Sequence, residues 1–84
     1  MDEKTLRLLK AMRERIGDHS ASRIVDAKAA ADSLGMDSGT REFDRRVRDL
    51  VRAGYLEPDP HSTPANTMGM YRITFSGIYA ADNR

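Results

Sequence analysis

The chain contains no cysteine. Disulfides, thiolate metal sites and thiol nucleophiles are excluded with it. Aromatic residues are scarce, at 6%, and form no stacking platform for RNA or single-stranded nucleic acid. No apolar run approaches the roughly 20 residues of a transmembrane helix. Met1-Asp2-Glu3-Lys4 opens a charged amphipathic segment rather than the apolar core of a signal peptide. A cytoplasmic protein without a membrane partner is therefore expected. An excess of one charge is also missing. The 14 Lys and Arg face 13 Asp and Glu, for a net charge of +1. Any electrostatic footprint must come from clustering rather than total charge. There is no glycine-rich phosphate loop. His19 and His61, the only histidines, sit near Asp18 and Asp59 at spacings that match no recognised metal site. Ser62 beside His61 is turn chemistry rather than a triad. Neither metal, cofactor nor enzymatic activity is expected.

What is present describes one soluble domain spanning residues 1–84, with 39% hydrophobic and 32% charged residues. That length holds one modest core and no large buried active site. The most informative stretch runs from Ser38 to Gly54. At roughly 100° per residue, Arg41, Arg45, Arg48 and Arg52 fall within about 60° of one another on a helix. Phe43, Val47, Leu50 and Val51 fall on the far side. The pattern predicts a helix over 40–53 with a core face and a guanidinium face. Arginine is a planar, permanently charged fork suited to phosphate oxygens and to the guanine edge. The same spacing also allows helix-surface ion pairs, Asp44 with Arg48, Arg45 with Asp49, and Glu42 with Arg45 or Arg46.

The rest of the chain supplies the frame. Residues 2–16 read as a first helix whose Leu8, Leu9, Met12 and Ile16 share a face. Ile24-Val25 is a small strand or an apolar entry to the next helix. Asp26 is a candidate N-cap, and Ala27 to Leu34 a short helix with Ala30, Ala31 and Leu34 inward, closed by Gly35. Ser38 or Thr40 caps the arginine helix, and Gly54 ends it. Pro58, Pro60 and Pro64 break regular structure. Met70 to Phe75 has strand composition and pairs with the segment at Leu56 as a hairpin. Thr74 or Ser76 starts a last helical turn through Ile78-Tyr79-Ala80. Met36, Met68 and Met70 read as core filler or loop, and Tyr55, Tyr71 and Tyr79 as hairpin packing.

Four stretches in this order resemble a known family. Ala30-Ala31-Asp32-Ser33-Leu34-Gly35-Met36 is similar to a small-residue second helix leaving through Leu-Gly. Phe43, Val47 and Leu50 resemble the apolar spine of a recognition helix. Leu50-Val51-Arg52-Ala53-Gly54-Tyr55-Leu56 resembles the alanine-glycine-aromatic-leucine exit into a wing. Tyr71-Arg72-Ile73-Thr74-Phe75-Ser76-Gly77 resembles a strand ending found in many bacterial regulators. Together they resemble the winged helix–turn–helix superfamily over most of the chain. The resemblance implies an α+β fold, a three-helix core with a C-terminal two-stranded β-hairpin wing. It implies double-stranded DNA as partner, with the recognition helix in the major groove and its N-terminal half nearest the bases. Carried onto this sequence, the DNA-binding residues are Ser38, Thr40, Arg41, Asp44, Arg45, Arg48 and Arg52. Arg41 and Arg45 suit guanine edges, and Arg48 and Arg52 suit phosphates. Ser38 and nearby backbone N–H groups suit a phosphate at the helix start. Asp44 orders an arginine, accepts from cytosine, or lowers the local charge.

The wing departs from the family pattern. Glu57 to Met70 carries Glu57 and Asp59 and no Lys or Arg. Few phosphate contacts imply weak binding by a monomer, so a homodimer reading two half-sites is expected, through the first helix and the Ile78-Tyr79 turn. The alternative function is a winged-helix adaptor that binds a protein partner and no DNA.

Overall fold

A computed structural model describes residues 2–16, 23–58 and 70–83. The elements are α1 (Glu3–Ile16), β1 (Ile24–Asp26), α2 (Ala27–Ser33), α3 (Arg41–Arg52), β2 (Leu56–Pro58), β3 (Met70–Ile73) and α4 (Phe75–Asp82). The fold is α+β, and among the described residues it has four helices and one antiparallel sheet in the order β1-β3-β2. His19, His61 and the expected tip of the hairpin lie outside the described residues.

Local chemistry sets most boundaries. Asp2 starts α1 by accepting from Thr5 N at 2.8 Å. Asp26 caps α2, accepting from Lys28 N at 2.9 Å and Ala29 N at 3.3 Å. Thr74 caps α4, its hydroxyl accepting from Gly77 N at 2.9 Å. Gly35 and Gly54 take φ of +74° and +81° just past α2 and α3. The amides one residue further on reach back into each helix, Met36 to Ala31 O at 2.9 Å and Tyr55 to Leu50 O at 3.0 Å. Both helices thus end in the same six-to-one closure, which needs a left-handed residue at its bend.

Four expectations are corrected here. The expected two-stranded hairpin is the outer part of a three-stranded sheet. Leu56 pairs with Ile73 and Pro58 with Tyr71, while Ile24 pairs with Arg72 on the other side of β3. The β-branched Ile24-Val25 pair therefore acts as a strand, and long-range pairing decides between two locally equal choices. Pro58 ends a strand rather than breaking one, because β2 is an edge. The expected three-helix core gains α4, because the Thr74 cap turns the chain helical at Phe75 instead of extending β3 through it. The fourth is Leu34, expected inward and 41% exposed, since it caps α2 instead of continuing its buried face.

The core gathers around α1. Leu8, Leu9 and Met12 are fully buried and share one cluster with Val25, Ala30, Ala31, Phe43, Val47, Leu50, Leu56 and Ile73. Thr5 and Ala11 are buried with them, Leu6 and Ile16 are partly buried against the cluster, and Glu3, Lys4, Arg7, Glu14 and Arg15 are exposed. On α4, Ala80 and Ala81 are buried while Phe75 and Tyr79 are 75% and 71% exposed. Tyr79 therefore does not pack the hairpin as expected, whereas Tyr55 and Tyr71 are half-buried against the core.

Candidate nucleic-acid interface

The arginine helix is positioned at its start by Asp37 and Thr40. Gly39 N donates to Asp37 Oδ1 at 2.9 Å, and the Thr40 hydroxyl donates to Asp37 O at 3.0 Å. That hydroxyl in turn accepts from Phe43 N at 3.2 Å. Thr40, not Ser38, is the N-cap. Phe43, Val47 and Leu50 are buried, as the spacing predicts, and fasten one side of α3 to the core.

The opposite side is open. Arg41, Asp44, Arg45, Arg48, Asp49 and Arg52 are all exposed and together line one shallow groove along α3. Five of the seven expected site residues are thus brought together. Ser38 and Thr40 are not in that groove. Thr40 lines a separate hollow with Leu34, Met36, Lys4 and Arg7, on the α1 side of the turn.

Of the ion pairs that spacing allows on α3, one forms. Glu42 pairs with Arg46. Asp44 does not pair with Arg48, nor Arg45 with Asp49, and among the described residues Arg41, Arg45, Arg48 and Arg52 have no carboxylate partner. All four line the groove, and none has a carboxylate partner among the described residues.

Arg46 is the residue whose burial the spacing argument does not name. It is buried, at 6% exposure, between α3 and the start of α1. Its Nη1 donates to Asp2 Oδ1 at 2.8 Å, Asp2 Oδ2 at 2.9 Å and Thr5 Oγ1 at 3.2 Å. Burial alone pulls its pKa down. Hydrogen bonds to Asp2 and Glu42 outweigh that and hold it above its ordinary value. Asp2 is held down at about 2 by the Thr5 backbone N–H, then the Thr5 hydroxyl, with Arg46 adding to both. A signal for this existed. At about 100° per residue Arg46 lies only some 40° from Leu50, and some 100° or more from every arginine of the open face.

No match to this chain is found among protein-family models, curated proteins or solved structures. Four fixed cations and two carboxylates share the groove. The sheet beside it adds little charge, since Arg72 on β3 faces Glu57 on β2 across 4.0 Å. No described helix is long and apolar enough to cross a membrane.

Proposed function

We propose that this chain is a small winged-helix DNA-binding protein, a transcriptional regulator that lays α3 in the major groove of double-stranded DNA. The observation that carries this reading is the set of four exposed arginines on α3 with no carboxylate partner among the described residues. Arginines meant only to solvate a helix have Asp44 and Asp49 within reach at i,i+4 and would pair with them. These leave their forks available to bidentate acceptors, which phosphates and guanine edges supply. The rigid backing of Phe43, Val47 and Leu50 fixes the rotation of α3, so the open face has one orientation.

Roles follow from position along the helix. Arg41 and Arg45 occupy the N-terminal half and read guanine. Arg48 and Arg52 lie further along and hold phosphates. Alanine substitution separates the two roles. Arg41→Ala and Arg45→Ala lose discrimination between duplex sequences, whereas Arg48→Ala and Arg52→Ala weaken all duplexes alike. If all four single-alanine variants bind every duplex as the parent does, the reading fails.

A second reading rests on α4, where Phe75 and Tyr79 stand exposed one helical turn apart. An adaptor that binds a protein partner through this face, without DNA, predicts capture of a partner that Phe75→Ser or Tyr79→Ser abolishes and that the arginine variants leave intact.

A further inference from the structure

The two carboxylates of the groove stand on opposite edges of the arginine strip. At about 100° per residue, Asp44 lies some 40° to one side of Arg48, and Asp49 some 40° to the other side of Arg45. They also differ in height. Asp44 is one turn above the helix start, between Arg41 and Arg45. Asp49 is about 7.5 Å further along, between Arg48 and Arg52. Neither is ion-paired among the described residues, and neither side chain caps the helix, a task Thr40 performs.

A carboxylate in a DNA-facing strip repels phosphate everywhere, so it lowers affinity for every sequence. It gains only where it meets a base-edge donor flanked by an acceptor on no more than one side. In a base pair cytosine N4 lies beside guanine O6 alone, whereas adenine N6 lies between its own N7 and thymine O4. Thymine presents its O4 acceptor at that position, and guanine presents O6 and N7, so each repels an unpaired carboxylate. We infer that Asp44 is a specificity residue that selects cytosine, near a guanine read by Arg41 or Arg45. Asp44 lies about 4.5 Å along the helix from Arg41 and about 1.5 Å from Arg45, which keeps it near the base contacts of both. Asp49 sits in the phosphate-holding half and contributes repulsion without selection. The target is then a duplex with nearby guanine and cytosine contacts, and wrong sequences are rejected by charge. This inference rests on the DNA-binding reading.

The test uses the full chain, a duplex selected by the parent from a randomised pool, and that duplex with each position varied through all four bases. Affinities are read by fluorescence anisotropy for the parent, Asp44→Ala, Asp44→Asn and Asp49→Ala. In the parent, replacing the cytosine under Asp44 is expected to weaken binding by about tenfold or more. Asp44→Ala flattens that one position to within about twofold and keeps the preferences at the guanine positions. Asp44→Asn moves the preference there toward adenine, which an amide reads bidentately. Asp49→Ala tightens binding to all duplexes alike. Uniform tightening by Asp44→Ala, or a cytosine preference that survives it, overturns the assignment while leaving DNA binding in place. A parent that binds no duplex overturns the DNA-binding reading and this assignment with it.

Discussion

Arg46 is clamped by Asp2, which accepts from its Nη1 through both carboxylate oxygens, at 2.8 and 2.9 Å. The contact joins the first residue before α1 to the middle of α3 across 44 positions of sequence. Glu42 and Thr5 complete the set of acceptors around the guanidinium. No buried side-chain nitrogen or oxygen among the described residues lacks a partner. The clamp therefore sets how α3 leans on α1, and with it the angle of the open arginine face.

Removing Arg46 separates its charge from its packing. Arg46→Ala loses the ion pairs and the buried stem together, and should destabilise the fold by about 3 kcal/mol in chemical denaturation. Arg46→Met keeps the stem volume, and Asp2 and Glu42, both more than half exposed, return to water. It should cost clearly less. Equal losses for the two variants would mean that the charge, not the stem, dominates.

Asp2 also sets a pH dependence, through its hydrogen bonds from the Thr5 backbone N–H and hydroxyl first and through Arg46 after them. The carboxyl of Asp2 titrates at about 2 in the fold, against 3.8 for the unperturbed group. Because the folded value is the lower one, its stabilisation is complete above 3.8 and is lost as pH falls through about 2. The melting temperature of the parent should exceed that of Asp2→Asn at neutral pH, and the gap should narrow across this acid window. A gap that stays constant down to pH 2 would show that Asp2 acts by shape rather than charge.

Gly77 is held by close approach rather than by an unusual φ. A Cβ there would overlap the Tyr55 carbonyl oxygen and meet Ile73 Cγ1 at 2.9 Å. The Tyr55 carbonyl cannot retreat, since it accepts from Thr74 N at 3.0 Å. Gly77→Ala should therefore cost about 2 kcal/mol despite the better helix propensity of alanine. A neutral or stabilising effect in the same denaturation assay would contradict this packing.

Local signals made much of this fold legible. Asp26 and Thr74 cap the helices that their sequence context suggested, and Gly35 and Gly54 close them. Phe43, Val47 and Leu50 are buried on α3, opposite the arginines. Each of these follows from side-chain chemistry within one helical turn. What was not legible depends on partners distant in sequence. Ile24-Val25 became a strand because β3 lies beside it, and Arg46 became buried because Asp2 and Thr5 reach it from α1. Phe75 has the β propensity of a strand residue, yet the Thr74 cap one residue earlier makes it the first residue of α4, where it is exposed. Within the site, spacing placed the arginines correctly on one face. It offered Asp44–Arg48 and Arg45–Asp49 pairs as equally good, and their absence appears only in three dimensions.

The central claim is that the open arginine face of α3 holds duplex DNA. The most direct test is fluorescence anisotropy of mixed duplexes at about 50 and 200 mM salt, a range over which phosphate-driven binding collapses. With two to four phosphates neutralised, affinity is expected to fall by about ten- to a hundredfold between the two. Arg52→Ala should make that fall shallower. Absence of binding at the lower salt, or binding indifferent to salt, would contradict the claim and leave the α4 aromatic face as the functional surface.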